Sequence, residues 1–302
     1  MSAVSAVALE APGLRQSLRD YIALTKPRVI SLLLVTALAA VVVAARGWPA
    51  TDLVAAIMVG GYLAAGGANA INMWFDRDID AQMYRTRLRP IPAGRVPARN
   101  ALVFGIVLNV LAFIVIAGRA NLLAAEITMA ATLFYVLVYT MILKRSTPQN
   151  IVIGGAAGAF PPLIGWAAVN GSLDMTALYM FAIVFFWTPP HFWALALRLE
   201  GDYGRANVPM LPQVHGRKET ARQMLMYSVV LVAISMLLGF RGFGVPYFIG
   251  AASLGGILVA MCVATLRESA NRWARRTFTF SLLYLAMLFG AMVVDAVLRA
   301  PA

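Results

Sequence analysis

Apolar residues fall in nine long runs separated by short polar stretches: 29–45, 53–72, 100–118, 121–142, 150–169, 175–197, 224–241, 245–266 and 278–298. Helical runs of roughly 17–25 apolar residues are long enough to cross the hydrocarbon of a bilayer. The pattern therefore predicts an all-α integral membrane protein, a bundle of nine transmembrane helices. Residues 118–121 alone separate the third and fourth runs, which predicts a tight hairpin. Pro161, Pro162, Pro189 and Pro190 fall inside runs five and six. Inside a bundle such prolines are tolerated, because neighbouring groups satisfy the carbonyls they free. The chain carries no internal repeat or low-complexity segment and reads as a single domain over 1–302. A polar segment, 1–20, precedes the first run, with a short surface helix expected at 16–21. Two longer polar segments, 73–99 and 198–223, read as cap loops over one mouth of the bundle.

Composition sharpens this picture. Of 302 residues, 61% are hydrophobic and 13% charged, far more apolar than a soluble domain of this length needs. The net charge of +12 does not indicate nucleic acid, because the basic residues sit between the apolar runs, where membrane orientation explains them. Of 25 basic residues, all but Arg46, Arg119, Arg241 and Arg299 fall on one side of the bundle. The positive-inside rule then puts the N-terminus in the cytoplasm and the C-terminus outside. Residues 1–20 lack the apolar core and cleavage site of a signal peptide, and a bacterial cytoplasmic membrane is the expected location. Cys262, alone in an apolar run, excludes an internal disulfide and a cysteine-based metal site.

Candidate chemistry concentrates where the second run meets the first polar segment. Asn72, Asp76 and Asp80 are spaced i, i+4, i+8, which keeps them on one helical stripe drifting by about 40° per step. Three oxygen-bearing side chains without a cation among them suit Mg²⁺, which binds through one or two carboxylates plus substrate phosphates. A polar helix end meeting water is the competing reading. Asp78 lies roughly 160° off the stripe, facing solvent or an arginine. Arg85, Arg87 and Arg89 follow and suit diphosphate oxygens.

In the second polar segment, Asp202 and Glu200 offer further oxygens and Arg205 a phosphate contact, although an ordinary charged loop would look the same. Lys26, Arg28, Lys144, Arg145 and Gln149 flank spans on the same side, as diphosphate contacts or as determinants of topology. His191 stands in an apolar span among Trp187, Trp193 and several phenylalanines. That setting fits a large flat ligand held by a neutral imidazole, and equally a core histidine within an aromatic belt. His215 is read as solvated, and Glu126 and Asp295 as interfacial residues at outer span ends. An ion-coupled transporter would also use such acids, but its site would lie near the midplane rather than at one mouth.

The stretch NMWFDRDID (72–80) fits an NxxxDxxxD signature, and with it the chain resembles the intramembrane prenyltransferases related to 4-hydroxybenzoate polyprenyltransferase. LTKPRVISLLLVT, YRTRLRPIPAGRV, LKRSTPQNIVIGGAAGAFPPLIGW, FFWTPPHFWALAL and DYGRANVPMLP are similar to one branch, the heme O synthases (protoheme IX farnesyltransferases). The likeness covers residues 21–298. It implies nine helices around a central cavity beneath cytoplasmic caps, with Asn72, Asp76, Asp80 and Asp202 as catalytic and metal-holding residues. Lys26, Arg85, Arg89, Lys144 and Arg205 would hold the diphosphate, and His191, Trp187 and Trp193 the heme. The implied reaction transfers farnesyl from farnesyl diphosphate to a vinyl group of heme B, with water addition, in a membrane lipid environment. Mg²⁺ is the implied cofactor, and a heme A synthase or terminal oxidase assembly the implied downstream partner. A sister enzyme with a quinone-type acceptor would share the aspartates but not TPPHFW. The superfamily's second DxxxD is incomplete here, since Ala206 stands where its last aspartate belongs.

Overall fold

The computed structural model describes residues 13–268 and 271–299, so residues 1–12 of the polar N-terminal segment lie outside the described residues. Every regular element among the described residues is a helix. In order it forms α1 (Leu14–Thr25), α2 (Pro27–Ala45), α3 (Thr51–Phe75), α4 (Arg77–Gln82) and α5 (Ala98–Arg119). Next come α6 (Leu122–Ser146), α7 (Asn150–Asn170) and α8 (Met175–Arg198). The remainder is α9 (Glu200–Arg205), α10 (Leu211–Gly239), α11 (Val245–Arg267) and α12 (Arg272–Leu298). Among the described residues nine helices are long and apolar enough to cross a membrane: α2, α3, α5, α6, α7, α8, α10, α11 and α12. The chain is a multi-pass membrane protein.

Small residues let these helices approach closely, since apolar area alone does not drive association in lipid. A Cβ on Gly67 of α3 would stand 2.5 Å from the Gly105 carbonyl oxygen of α5. Helix α2 joins the two halves of the bundle. Its Ala40 packs into a cluster with Met180, Leu231, Leu258 and Phe289 from α8, α10, α11 and α12. The next residue, Val41, packs into a second cluster with Ile57, Ile116, Ala124 and Ala167 from α3, α5, α6 and α7.

The polar segments differ from the expected loops. α10 begins at Leu211, so much of 198–223 is helical, with a break at Gly216 where φ is 74°. Pro212 in its first turn and the strong formers of KETARQ favour helix there, although the stretch is too polar to register as a span. In α6 the α-helix gives way to π-helix over Phe134–Leu143, a widening that often marks functional positions. Asp295 is buried rather than interfacial: both carboxylate oxygens accept from the Gly244 N–H, at 3.0 and 2.9 Å, just before α11. A carboxylate there satisfies an orphan donor and complements the helix dipole.

The basic segments meet at one end of the bundle. Arg95 donates to Asp20 of α1 at 3.0 Å, Arg145 to Asp78, and Arg217 to the Glu268 carbonyl at 3.4 Å.

Candidate active site

At that end, α3 stops at Phe75 and α4 restarts at Arg77, with Asp76 between them. The junction keeps helical spacing: the Asp76 N–H donates to the Asn72 carbonyl at 2.9 Å and the Asp80 N–H to the Asp76 carbonyl at 2.8 Å. Asn72, Asp76 and Asp80 therefore share one face, and all three are buried. Each is met by a cation. Lys26 Nζ donates to Asn72 Oδ1 at 2.8 Å, Lys144 Nζ to Asp76 Oδ2, and Arg89 Nη1 to Asp80 Oδ2 at 2.6 Å. Asn72 Nδ2 links the set, donating to Asp76 Oδ2 at 2.7 Å and to Thr140 Oγ1 at 3.1 Å.

Lys26 reaches inward because the α1–α2 turn holds it at φ 55°, left-handed backbone that a non-glycine residue adopts at a cost of about 1 kcal/mol. Burial holds its ammonium well below the usual lysine range; Arg89 and Lys144 push it the same way, and Asp80 and Asp76 oppose them. Arg145 leaves the stripe to form a fork on exposed Asp78, with two bonds of 2.7 Å that hold the Asp78 carboxyl below its ordinary value.

Asp76 is fully buried, and its second oxygen, Oδ1, has no hydrogen-bond partner; the Arg145 guanidinium stands 3.5 Å away. A buried carboxylate oxygen without a donor is costly unless a cation completes it. The donor set is oxygen only, two carboxylates and an amide. Among the described residues no group of three or more His, Cys, Asp or Glu forms a complete metal cage. The oxygen-only donor set is of the kind a hard ion such as Mg²⁺ uses when it also binds substrate oxygens.

Asp202 stands apart from that stripe. It bonds Arg205, three residues on, and faces the backbone of Tyr84 and Arg85. Burial raises its pKa, but those partners outweigh burial and leave the carboxyl below its ordinary value. Its neighbour Tyr203 is buried against the Arg85 side chain, and burial pushes the phenol upward against the pull of Arg85 and Arg89. The second cap thus reaches the first through Arg85, while Arg205 remains largely exposed on its own aspartate. The Glu200 carbonyl accepts from Gln213 at 2.7 Å.

On α8, Trp187 and His191 are one turn apart and face α12. The imidazole stacks between Trp187, at 4.3 Å, and Phe278, at 4.8 Å. Trp187 Nε1 donates to the Ser281 carbonyl at 2.7 Å, and His191 Nδ1 is 2.7 Å from Ser281 Oγ. The Ser281 hydroxyl also reaches the Phe278 carbonyl at 2.8 Å. It thus holds Nδ1 in place, with the direction of that bond set by the imidazole tautomer, and leaves Nε2 as the other ring nitrogen. Trp193 points elsewhere, buried among Met210, Leu211 and Met224 with its indole N–H unpartnered. Two residues along a helix turn through about 200°, so it cannot share the His191 face.

Sequence reasoning passed over Thr140, Tyr135, Tyr139 and Ser281. Tyr135 and Tyr139 stack at 5.4 Å on the π-helical stretch beside Asp76, and Gly154 gives Tyr139 room, since a Cβ there would stand 2.2 Å from the ring. Their signal was polar atoms at one-turn spacing inside an otherwise apolar run.

Comparison with known proteins shows the family and the fold. Residues 33–288 match the UbiA prenyltransferase family. A protoheme IX farnesyltransferase of Symbiobacterium thermophilum is 55% identical over 93% of this chain and 95% of its own length. One from Thermus thermophilus is 52% identical over 92% of this chain, which spans only 46% of that longer protein. A digeranylgeranylglyceryl phosphate synthase shares the fold with a TM-score of 0.77 at 20% identity, covering 93% of this chain and 99% of its own. A UbiA homolog from Archaeoglobus fulgidus bound to GPP and Mg²⁺ superposes with a TM-score of 0.66 at 16% identity, over 90% of this chain and 99% of its own. The chain belongs to the UbiA prenyltransferase family.

Proposed function

We propose that this membrane enzyme transfers a farnesyl group from farnesyl diphosphate to a vinyl group of protoheme IX, with addition of water, giving heme O and diphosphate. The observation that carries the reading is the buried carboxylate of Asp76, half satisfied and ringed by Lys26, Lys144, Arg145 and Asp80–Arg89. The two relatives named protoheme IX farnesyltransferase supply the acceptor class. The site lies at the basic end, which faces the cytoplasm of a bacterial cell under the positive-inside rule.

Asn72, Asp76 and Asp80 would hold Mg²⁺, which supplies charge neutralisation on the departing diphosphate. Lys26, Lys144 and Arg89 bind the diphosphate oxygens, Lys26 leaving the Asn72 amide oxygen and the other two their carboxylates. The allylic C–O bond breaks and its electron pair leaves with the diphosphate. Buried walls keep water from the farnesyl cation, which would otherwise end as farnesol. Tyr135 and Tyr139 present ring faces to that cation. The vinyl π-electrons form the new C–C bond. Water then adds to the porphyrin-adjacent carbon and loses a proton, leaving a hydroxyl. No strong general base is needed.

His191, held at Nδ1 by Ser281, would ligate the heme iron through Nε2, and Trp187, stacked on the imidazole, would keep that ring in place. The test is a pigment spectrum and mass of heme formed by purified chain from protoheme, farnesyl diphosphate and Mg²⁺. Heme O formation that stops on chelation supports the reading. Prenylation of a quinone precursor with heme untouched would overturn it.

A further inference from the structure

Between α11 and α12, at the basic end and away from the site above, runs a groove of about 740 Å³. Arg272, Arg275, Arg276 and Trp273 form its head. Met261, Phe280 and Leu283 line it further along the helices, and from Arg276 to Leu283 α12 rises roughly 10 Å toward the membrane interior. The guanidinium of Arg276 lies 4.8 Å over the Trp273 ring and that of Arg272 at 5.9 Å. Glu268 sits 4.0 Å from Arg272 and accepts from the Trp273 N–H at 2.7 Å, but among the described residues no acid lines the groove itself. Arg275, Arg276 and Leu283 are exposed. The opposite face of α12, through Phe278 and Ser281, is the one that meets His191.

We infer that this groove binds one anionic phospholipid. Arg275 and Arg276 hold its phosphate, Trp273 sits at headgroup level, and one acyl chain lies along Met261, Phe280 and Leu283. Charge complementarity decides the occupant. Excess guanidinium at the head selects an anion, the apolar wall below selects a tail, and without carboxylates for a metal the groove lacks what a prenyl diphosphate site uses. Basic residues around the whole bundle end attract anionic lipid diffusely; the groove adds a shape that retains one molecule.

The experiment is native mass spectrometry of the full chain in detergent, titrated with phosphatidylglycerol or phosphatidylcholine. One phosphatidylglycerol should be retained in preference to phosphatidylcholine. Arg275→Gln with Arg276→Gln should lower that retention about tenfold or more, since each basic residue near a lipid surface contributes on the order of 1 kcal/mol. Arg275→Lys with Arg276→Lys should retain most of it. Met261→Trp, which fills the groove without changing charge, should lower it as well. Lys218→Gln with Arg222→Gln removes equal charge at the same end and should leave retention within about twofold. Equal losses in the two glutamine pairs would mean a diffuse field and overturn the proposal. So would competition of farnesyl diphosphate for the same molecule, which would make the groove a second substrate site. Melting curves matching wild type exclude misfolding as the cause of any loss.

Discussion

The acid stripe at the end of α3 and the imidazole pocket between α8 and α12 are both buried, yet they are built on opposite principles. Around Asp76 each residue of the stripe is met by a long cationic side chain: Lys26, Lys144 and Arg89 hold oxygens that a metal would claim, and a diphosphate would claim the three cations. His191 bonds no charged group among the described residues, and the ring is fixed on both faces by aromatic stacking and at Nδ1 by Ser281. The first region is arranged to exchange partners when its ligand arrives, and the second to be rigid before its ligand arrives. That division fits a reaction in which one substrate develops charge as it leaves while the other is a flat, fixed acceptor.

Separating the two regions by mutation is the most direct way to break this contrast. Asp76→Ala with Asp80→Ala should lower farnesyl transfer by about 1000-fold or more, because transition-state charge stabilisation worth 10²–10³ per group is removed. Protoheme affinity, read by absorbance titration, should stay within about twofold of wild type. If heme affinity fell equally, the two regions would be one site. His191→Ala should do the reverse, weakening protoheme binding about 100-fold with diphosphate affinity intact. Ser281→Ala, which removes only the orienting hydroxyl, should weaken it about tenfold, and equal losses in both variants would refute the ligand–orienter assignment. The smallest effect belongs to the Asp78–Arg145 fork, at the exposed edge of the acid region. The folded pKa of Asp78 is depressed, so the pair contributes stability above the unfolded value of 3.8. That contribution is lost as pH falls through the lower folded value. Asp78→Asn should therefore shift the melting temperature slightly at pH 7 and not at all at strongly acid pH. A shift that persisted in acid would point to a role other than this ion pair.

Much of this was legible in the chain before folding. Periodicity fixed the nine spans, because a bilayer admits only segments that satisfy their own backbone hydrogen bonds, and such segments must be long and apolar. The i, i+4, i+8 spacing placed Asn72, Asp76 and Asp80 together because helix geometry is local. Less was visible where polarity and helicity separate: the opening turns of α10 read as loop because hydropathy reports burial in lipid, not backbone conformation. Asp202 and Trp193 illustrate the other limit. Each lies near the right motif in sequence, but Asp202 is paired with Arg205 beside the other cap rather than bonded into the stripe, and a turn of about 200° on α8 directs Trp193 away from His191.

The sequence by itself therefore determined the membrane class, the number of spans, the gathering of basic residues at one end and the acid stripe, since all depend on composition or on contacts within a few residues. Tertiary structure alone decided which cation meets which acid across up to 68 residues of chain, and that Asp76 keeps one oxygen without a donor. It also decided that Ser281, 90 residues from His191, holds the imidazole at Nδ1. Pairings at such separations depend on how helices pack against one another, and nothing in the local chain encodes that choice.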